Sequence, residues 1–173
     1  LEIGCGWGGF AEYLGKKYDV KLDCITISKK QFEYAKERIH RCGLNEKVNI
    51  EIKDYRDLKD KYNSIASIEM IEAVGHEHLT EFYWAVEQVL APDGILVMEA
   101  ITTTEERYEN YLRTTDFINT IIFPGSCCPC LHALVDAAYK GSRLTLEHID
   151  NIGLHYAQTL ADWRRRFNAN EAL

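Results

Sequence analysis

Nine residues at the start of the chain, Leu1-Glu2-Ile3-Gly4-Cys5-Gly6-Trp7-Gly8-Gly9, limit the possible folds more than any other segment. Two apolar residues flank an acid, and glycine then recurs at every second position. Glycine reaches positive φ without steric cost, so it belongs where a strand ends in a tight turn and the backbone must approach a ligand closely. Between a strand and a helix, such a turn also aims the helix N-terminus at that ligand. The spacing is Gly-x-Gly-x-Gly and not the Gly-x-Gly-x-x-Gly of dinucleotide enzymes. No lysine follows, as it would in a phosphate-binding P-loop.

Strand-like and helix-like segments alternate beyond the turn. Residues 22–27 are mostly apolar and β-branched, and read as a strand. Ser28 with Gln31 three residues on has capping-box spacing. Phe32, Ala35, Ile39 and Cys42 then repeat at helical intervals up to Gly43. Val48, Ile50 and Ile52 alternate with polar residues, which predicts a half-exposed strand near a sheet edge. Residues 63–70 form another short strand. Leu79, Phe82, Tyr83, Val86, Val89 and Leu90 make one helical stripe, stopped by Pro92-Asp93-Gly94. Residues 95–101 are almost continuously apolar, the pattern of a buried parallel strand. Alternation of this kind implies right-handed βαβ units and a mostly parallel sheet with helices on both faces. The pattern weakens over 102–130, a length typical of a lid or substrate-binding insertion. Residues 131–139 then read as helix, 144–149 as strand and 157–167 as helix.

Composition narrows the functional classes. Lys plus Arg is 20 against 27 for Asp plus Glu, a net charge of −7 that disfavours nucleic acid as a partner. No apolar run reaches the length of a membrane span. Of six cysteines, Cys24 and Cys42 fall singly in a strand and a helix and behave as small apolar residues, which points to a reducing, cytoplasmic setting. The Cys127-Cys128-Pro129-Cys130 cluster lacks a second Cys/His pair at structural-zinc spacing, so it reads as loop packing and no metal is expected.

Glu-x-Gly-x-Gly-x-Gly resembles the first motif of S-adenosylmethionine-dependent methyltransferases, whose cofactor carries no phosphate and suits a loop without lysine. Thr26-Ile27-Ser28 stands where many of these enzymes have an acid for the ribose. Taken together, Gly4-Cys5-Gly6-Trp7-Gly8-Gly9, Ile25-Thr26-Ile27-Ser28-Lys29-Lys30-Gln31, Asp54-Tyr55-Arg56-Asp57, Ser67-Ile68-Glu69-Met70-Ile71-Glu72-Ala73-Val74-Gly75-His76-Glu77, Ile121-Ile122-Phe123-Pro124-Gly125 and Asn151-Ile152-Gly153-Leu154-His155-Tyr156-Ala157-Gln158-Thr159-Leu160 resemble the cyclopropane-fatty-acid synthases and mycolic acid methyltransferases. In this branch Thr26-Ile27-Ser28 is itself typical. The resemblance spans essentially all of residues 1–173. It implies a Rossmann-like class I methyltransferase fold, in a catalytic domain cut at both ends that lacks a helical N-terminal region and a last antiparallel strand.

The implied reaction is methyl or methylene transfer to a cis double bond of an unsaturated phospholipid acyl chain at a membrane surface, giving a cyclopropane or a methyl branch. Attack on the sulfonium methyl leaves a carbocation, and loss of a proton from the new methyl closes the ring. Such a site needs an apolar slot, electrostatic help for the cation and a modest base, which the family is thought to supply as bound bicarbonate. By the resemblance, Glu72, Tyr156 and the backbone of Ile101 hold that anion. Glu99 replaces a family histidine or glutamine. An unpaired carboxylate in an apolar strand is costly, so Glu99 is expected to be protonated and donating a hydrogen bond, or else to replace bicarbonate as the proton acceptor. For the cofactor, Gly4 and Gly6 approach the methionine part, Thr26, Ile27 and Gln31 the ribose and adenosine side, and Tyr55 and Arg56 flank the adenine. His76 and His155 lie in the same motifs and also fit as satisfied structural histidines. An amine N-methyltransferase and a catalytically degenerate cofactor-binding domain are the competing functions.

Overall fold

The computed structural model describes residues 1–170. Five strands, β1 (Glu2–Ile3), β2 (Leu22–Thr26), β3 (Val48–Ile52), β4 (Tyr62–Ile68) and β5 (Leu90–Glu99), form one sheet in the order β3-β2-β1-β4-β5. Every ladder in it is parallel. Helices α1 (Gly9–Lys17), α2 (Lys29–Arg41) and α3 (Leu79–Val89) connect the strands, and α4 (Glu105–Arg113), α5 (Leu131–Gly141) and α6 (Gly153–Ala169) follow β5. The strand order reverses direction at β1, so the crevice between the C-terminal ends of β1 and β4 is the switch point where open α/β sheets bind ligands.

Local chemistry explains the elements. Ser28 caps α2 by accepting the Gln31 backbone N–H at 3.4 Å, as the sequence spacing predicts. Gly43 takes up the left-handed conformation (φ 67°) just past the helix. On one face of the sheet Ile3, Ile25 and Ile65 pack against Phe82, Val86 and Val89 of α3 and Leu134 and Ala137 of α5. Phe82 is fully buried, and burial of such a side chain contributes about 1.5–3 kcal/mol. On the other face Leu22, Cys24 and Ile50 meet Ala11 of α1 and Ala35 and Ile39 of α2.

Two expectations are corrected. β5 is parallel to β4 as expected, but it is an edge strand and is not buried on both faces. Paired residues Cys24, Glu2, Ala66 and Val97 run across one face of the sheet; α1 and α2 cover only its β2–β3 half, leaving Ile95 and Val97 63% and 62% exposed. Residues 144–149 are not a strand. A strand needs a ladder partner for its backbone, and among the described residues none pairs with this segment. Edge strand β3, in contrast, has the alternating burial expected of it.

Candidate active site

The glycine turn sits at the switch point and its three glycines do different work. Gly4, Gly6 and Gly8 all have positive φ, at 78°, 52° and 77°. The N–H groups of Gly4 and Cys5 both donate to the Ile25 carbonyl, at 3.0 and 2.9 Å, fixing the turn to β2. A Cβ on Gly4 would collide with the Met70 side chain, and one on Gly8 would come within 3.1 Å of Ala35 Cβ. Gly4 thus lets β1 approach the loop after β4, and Gly8 lets α1 pack on α2. Gly6 has no atom within 4 Å of its Cβ position, so its backbone faces open space. Glu2, immediately before the turn, is 3% exposed, and its Oε2 has no hydrogen-bond partner. Burial pushes its carboxyl up to about 7.

The end of β2 supplies a second wall. The Thr26 hydroxyl donates to Gln31 Oε1 at 2.7 Å and accepts the Ser28 N–H at 3.1 Å, while the Ile27 side chain is 78% exposed beside them. A 3-10 turn, Tyr55–Asp57, follows β3. Tyr55 packs edge-on against Phe82, with ring centroids 5.4 Å apart. Arg56 forms two parallel hydrogen bonds to Asp54, at 2.9 and 2.7 Å, so its charge is directed to that neighbour.

The third wall is acidic and follows β4 and β5. Glu72 lies in a 3-10 turn, Ile71–Ala73, and its Oε1 accepts the Ile101 backbone N–H at 2.5 Å. Its Oε2 is buried without a partner. Burial raises the Glu72 carboxyl above its ordinary range, the Ile101 N–H opposes this, and Glu69 and Glu99 add like charge. The Glu69 N–H donates to the Glu99 carbonyl at 2.9 Å, and burial followed by the Glu99 charge raises the Glu69 carboxyl as well. Glu69 is one of two non-glycine residues with positive φ, at 46°, a conformation that proteins tolerate mainly at functional sites.

The structure therefore brings Glu72, Glu99 and Ile101 together, and adds Glu69. Glu99 corrects an expectation: it ends an edge strand and is exposed, so burial imposes no requirement on it. Tyr156 lies on α6, edge-on to Trp163 at 6.2 Å, and among the described residues no hydrogen bond joins it to the acidic group. Two contributors carry no signal in the sequence. Glu69 stands inside a quoted motif, but only its backbone angle singles it out. Cys127 contributes through its backbone, donating its N–H to the Glu72 carbonyl at 2.8 Å. A parallel bridge between Thr103 and Cys130 closes the base of this insertion, and the Cys130 thiol caps α5 by accepting the Ala133 N–H at 3.4 Å. His76 satisfies its ring through the Tyr108 hydroxyl at 2.7 Å.

These walls fit a cofactor with an uncharged sugar and a cationic centre. The cradle at Gly6 would be filled by a Cβ, the loop has no cation for phosphate, and the acids favour positive charge nearby. The buried, unpartnered Glu72 Oε2 fits a small ligand able to donate a hydrogen bond.

Comparison with known proteins agrees with this geometry. A family described as mycolic acid cyclopropane synthetase matches residues 1–172. The chain is 36% identical over 169 residues to the cyclopropane-fatty-acyl-phospholipid synthase of Escherichia coli, covering 98% of this chain and 42% of that protein. It is 34% identical over 167 residues to the tuberculostearic acid methyltransferase of Mycobacterium tuberculosis, covering 96% and 39%. The chain thus spans about two-fifths of the length of these curated relatives. The crystal structure of mycolic acid cyclopropane synthase CmaA1 complexed with SAH and CTAB superposes with a TM-score of 0.87 at 26% identity, over 98% of this chain and 62% of that one. The expected Rossmann-like architecture is confirmed.

Proposed function

The chain belongs to the mycolic acid cyclopropane synthetase family, and from that premise we propose that it performs S-adenosylmethionine-dependent methyl or methylene transfer to a cis double bond of an unsaturated phospholipid acyl chain. The product is a cyclopropane or methyl-branched fatty acid. The observation that carries this reading is the juxtaposition at one switch point of an open glycine turn and a carboxylate, Glu72, with one oxygen bonded to Ile101 N–H and the other buried and unpartnered.

When bound, S-adenosylmethionine supplies an electrophilic sulfonium methyl. Gly4 and Gly6 approach its methionine part, while Thr26, Ile27 and Gln31 position the ribose and adenosine side and Tyr55 and Arg56 flank the adenine. Glu69, Glu72 and Glu99 place negative charge where positive charge develops on the acyl chain, the kind of fixed electrostatic help that stabilises a cationic transition state. Glu72, the Ile101 backbone and Tyr156 would hold a bicarbonate, which supplies a proton acceptor there. The Ile101 N–H fixes the Glu72 carboxylate for this task. Residues 102–130 form the substrate-binding side of the domain, joined to the acidic wall through Cys127.

Among the described residues no helix is long and apolar enough to cross a membrane, so access to a lipid substrate is peripheral in this reading. Incubating the intact protein with methyl-labelled cofactor and either monounsaturated phospholipid or a panel of amines tests it. Label in the acyl chain is the expected result; label only in amines overturns the lipid substrate.

A further inference from the structure

Between Asp116 and Asp136 the chain carries no Asp, Glu, Lys or Arg, although 27% of the whole chain is charged. Part of this stretch folds into a π turn, Ile118–Ile122, on the outside of the 102–130 insertion. Phe117, Ile121 and Phe123 are 65%, 62% and 63% exposed, and Ile118 and Ile122 stand beside them about half exposed. Single exposed apolar side chains are ordinary, but a contiguous group of this kind marks an interaction surface. The backbone of the turn is bonded within itself. Asp116 and Asn119 exchange side-chain-to-backbone bonds at 2.8 and 2.9 Å, and Phe123 N–H donates to the Ile118 carbonyl at 2.8 Å. Internal satisfaction is what hydrocarbon demands of a backbone that enters it.

We propose that this π turn is an interfacial wedge that seats Phe117, Ile121 and Phe123 in the acyl layer just below the headgroups of a lipid bilayer. Its lack of charge favours a partner recognised by hydrocarbon and not by ion pairing, and the net charge of −7 offers no general attraction to anionic lipid. The same uncharged stretch continues to Cys127, whose N–H is bonded to the Glu72 carbonyl, so the wedge is continuous with the acidic wall of the site. The inference rests on the acyl-chain reading given above. A chain drawn from a bilayer through water loses about fourfold in partitioning per exposed methylene, and a wedge in the bilayer shortens that path.

The test floats the intact protein with vesicles of pure phosphatidylcholine, beside a Phe117→Ser/Phe123→Ser variant. The wild type is expected to bind neutral vesicles with little dependence on salt. The double variant should lose about tenfold in partitioning per phenylalanine, yet still turn over monounsaturated lipid dispersed in detergent, which also shows that it is folded. As a direct readout of insertion, Ile121→Trp should shift its fluorescence to the blue on vesicles and be quenched by brominated acyl chains. Undiminished binding by the double variant, binding confined to anionic vesicles at low salt, or an Ile121→Trp spectrum unmoved by vesicles would each overturn the wedge. A wild type inactive on every lipid in detergent overturns the substrate reading instead, and leaves the vesicle result to decide the wedge by itself.

Discussion

Replacing Gly4 and Gly6 by alanine in turn separates what the glycine turn does for folding from what it does for the ligand. Both residues have positive φ, 78° and 52°, where any side chain costs about 1–2 kcal/mol. For Gly6→Ala that is the whole cost, because the added methyl meets no atom within 4 Å. For Gly4→Ala the methyl overlaps the Met70 side chain, and displacing a packed side chain adds about 1–3 kcal/mol. Gly6→Ala should therefore lose about 1–2 kcal/mol and Gly4→Ala about 2–5 kcal/mol in urea unfolding. In a chain of 173 residues, each kcal/mol lowers Tm by about 2–4 °C. Calorimetric titration with S-adenosylmethionine should run against this ranking. Gly6→Ala, the milder change for stability, points its methyl into the cradle and should weaken binding at least tenfold, or about 1.4 kcal/mol. Equal stability losses in the two variants, or wild-type affinity in Gly6→Ala, would refute the division of roles.

Two further outcomes follow from the buried and strained acids. Glu2 has its carboxyl raised to about 7 by burial, so between roughly pH 4.5 and 7 the folded state holds a proton that the unfolded state has released, and stability falls as pH rises through that window. Glu2→Gln lacks this loss; its advantage over wild type in urea unfolding should grow by about 3 kcal/mol from pH 4.5 to pH 8, and a pH-independent difference would contradict the assignment. At Glu69, with φ of 46°, Glu69→Gly should be more stable than Glu69→Ala by about 0.5–1 kcal/mol, since both remove the carboxylate and only glycine relieves the backbone; equal unfolding midpoints would show that the angle carries no strain.

Much of the fold was legible because the signals are local. Ser28 and Gln31 specify the start of α2 by themselves, and the alternation Val48, Ile50, Ile52 marks a strand with one open side. The burial of β5 was not legible. Ile95 and Val97 are as apolar as any core residue, and only the reach of α1 and α2 across the sheet decides that they face outward. The same holds for residues 144–149, whose composition suits a strand but whose backbone finds no ladder among the described residues. In the site, Glu72 and Ile101 could be named from motifs, whereas the contact between them joins residues 29 positions apart. Glu69 differs again, since a positive φ at glutamate leaves no trace in composition or period. Glu99 was misread because an apolar neighbourhood in sequence does not establish burial at the end of an edge strand.

The bridge between Thr103 and Cys130 has a consequence for how such a chain can diversify. Everything between those two residues leaves the sheet and returns to it at one point, so the cost of closing the excursion rises only about 0.6 kcal/mol for each doubling of its length. Residues within it can be lengthened, shortened or replaced while the strand ends that hold Gly4, Thr26 and Glu72 keep their places. The domain is in this sense a fixed chemical engine with an exchangeable front, and new substrates can be explored there without reopening the question of how the chain folds.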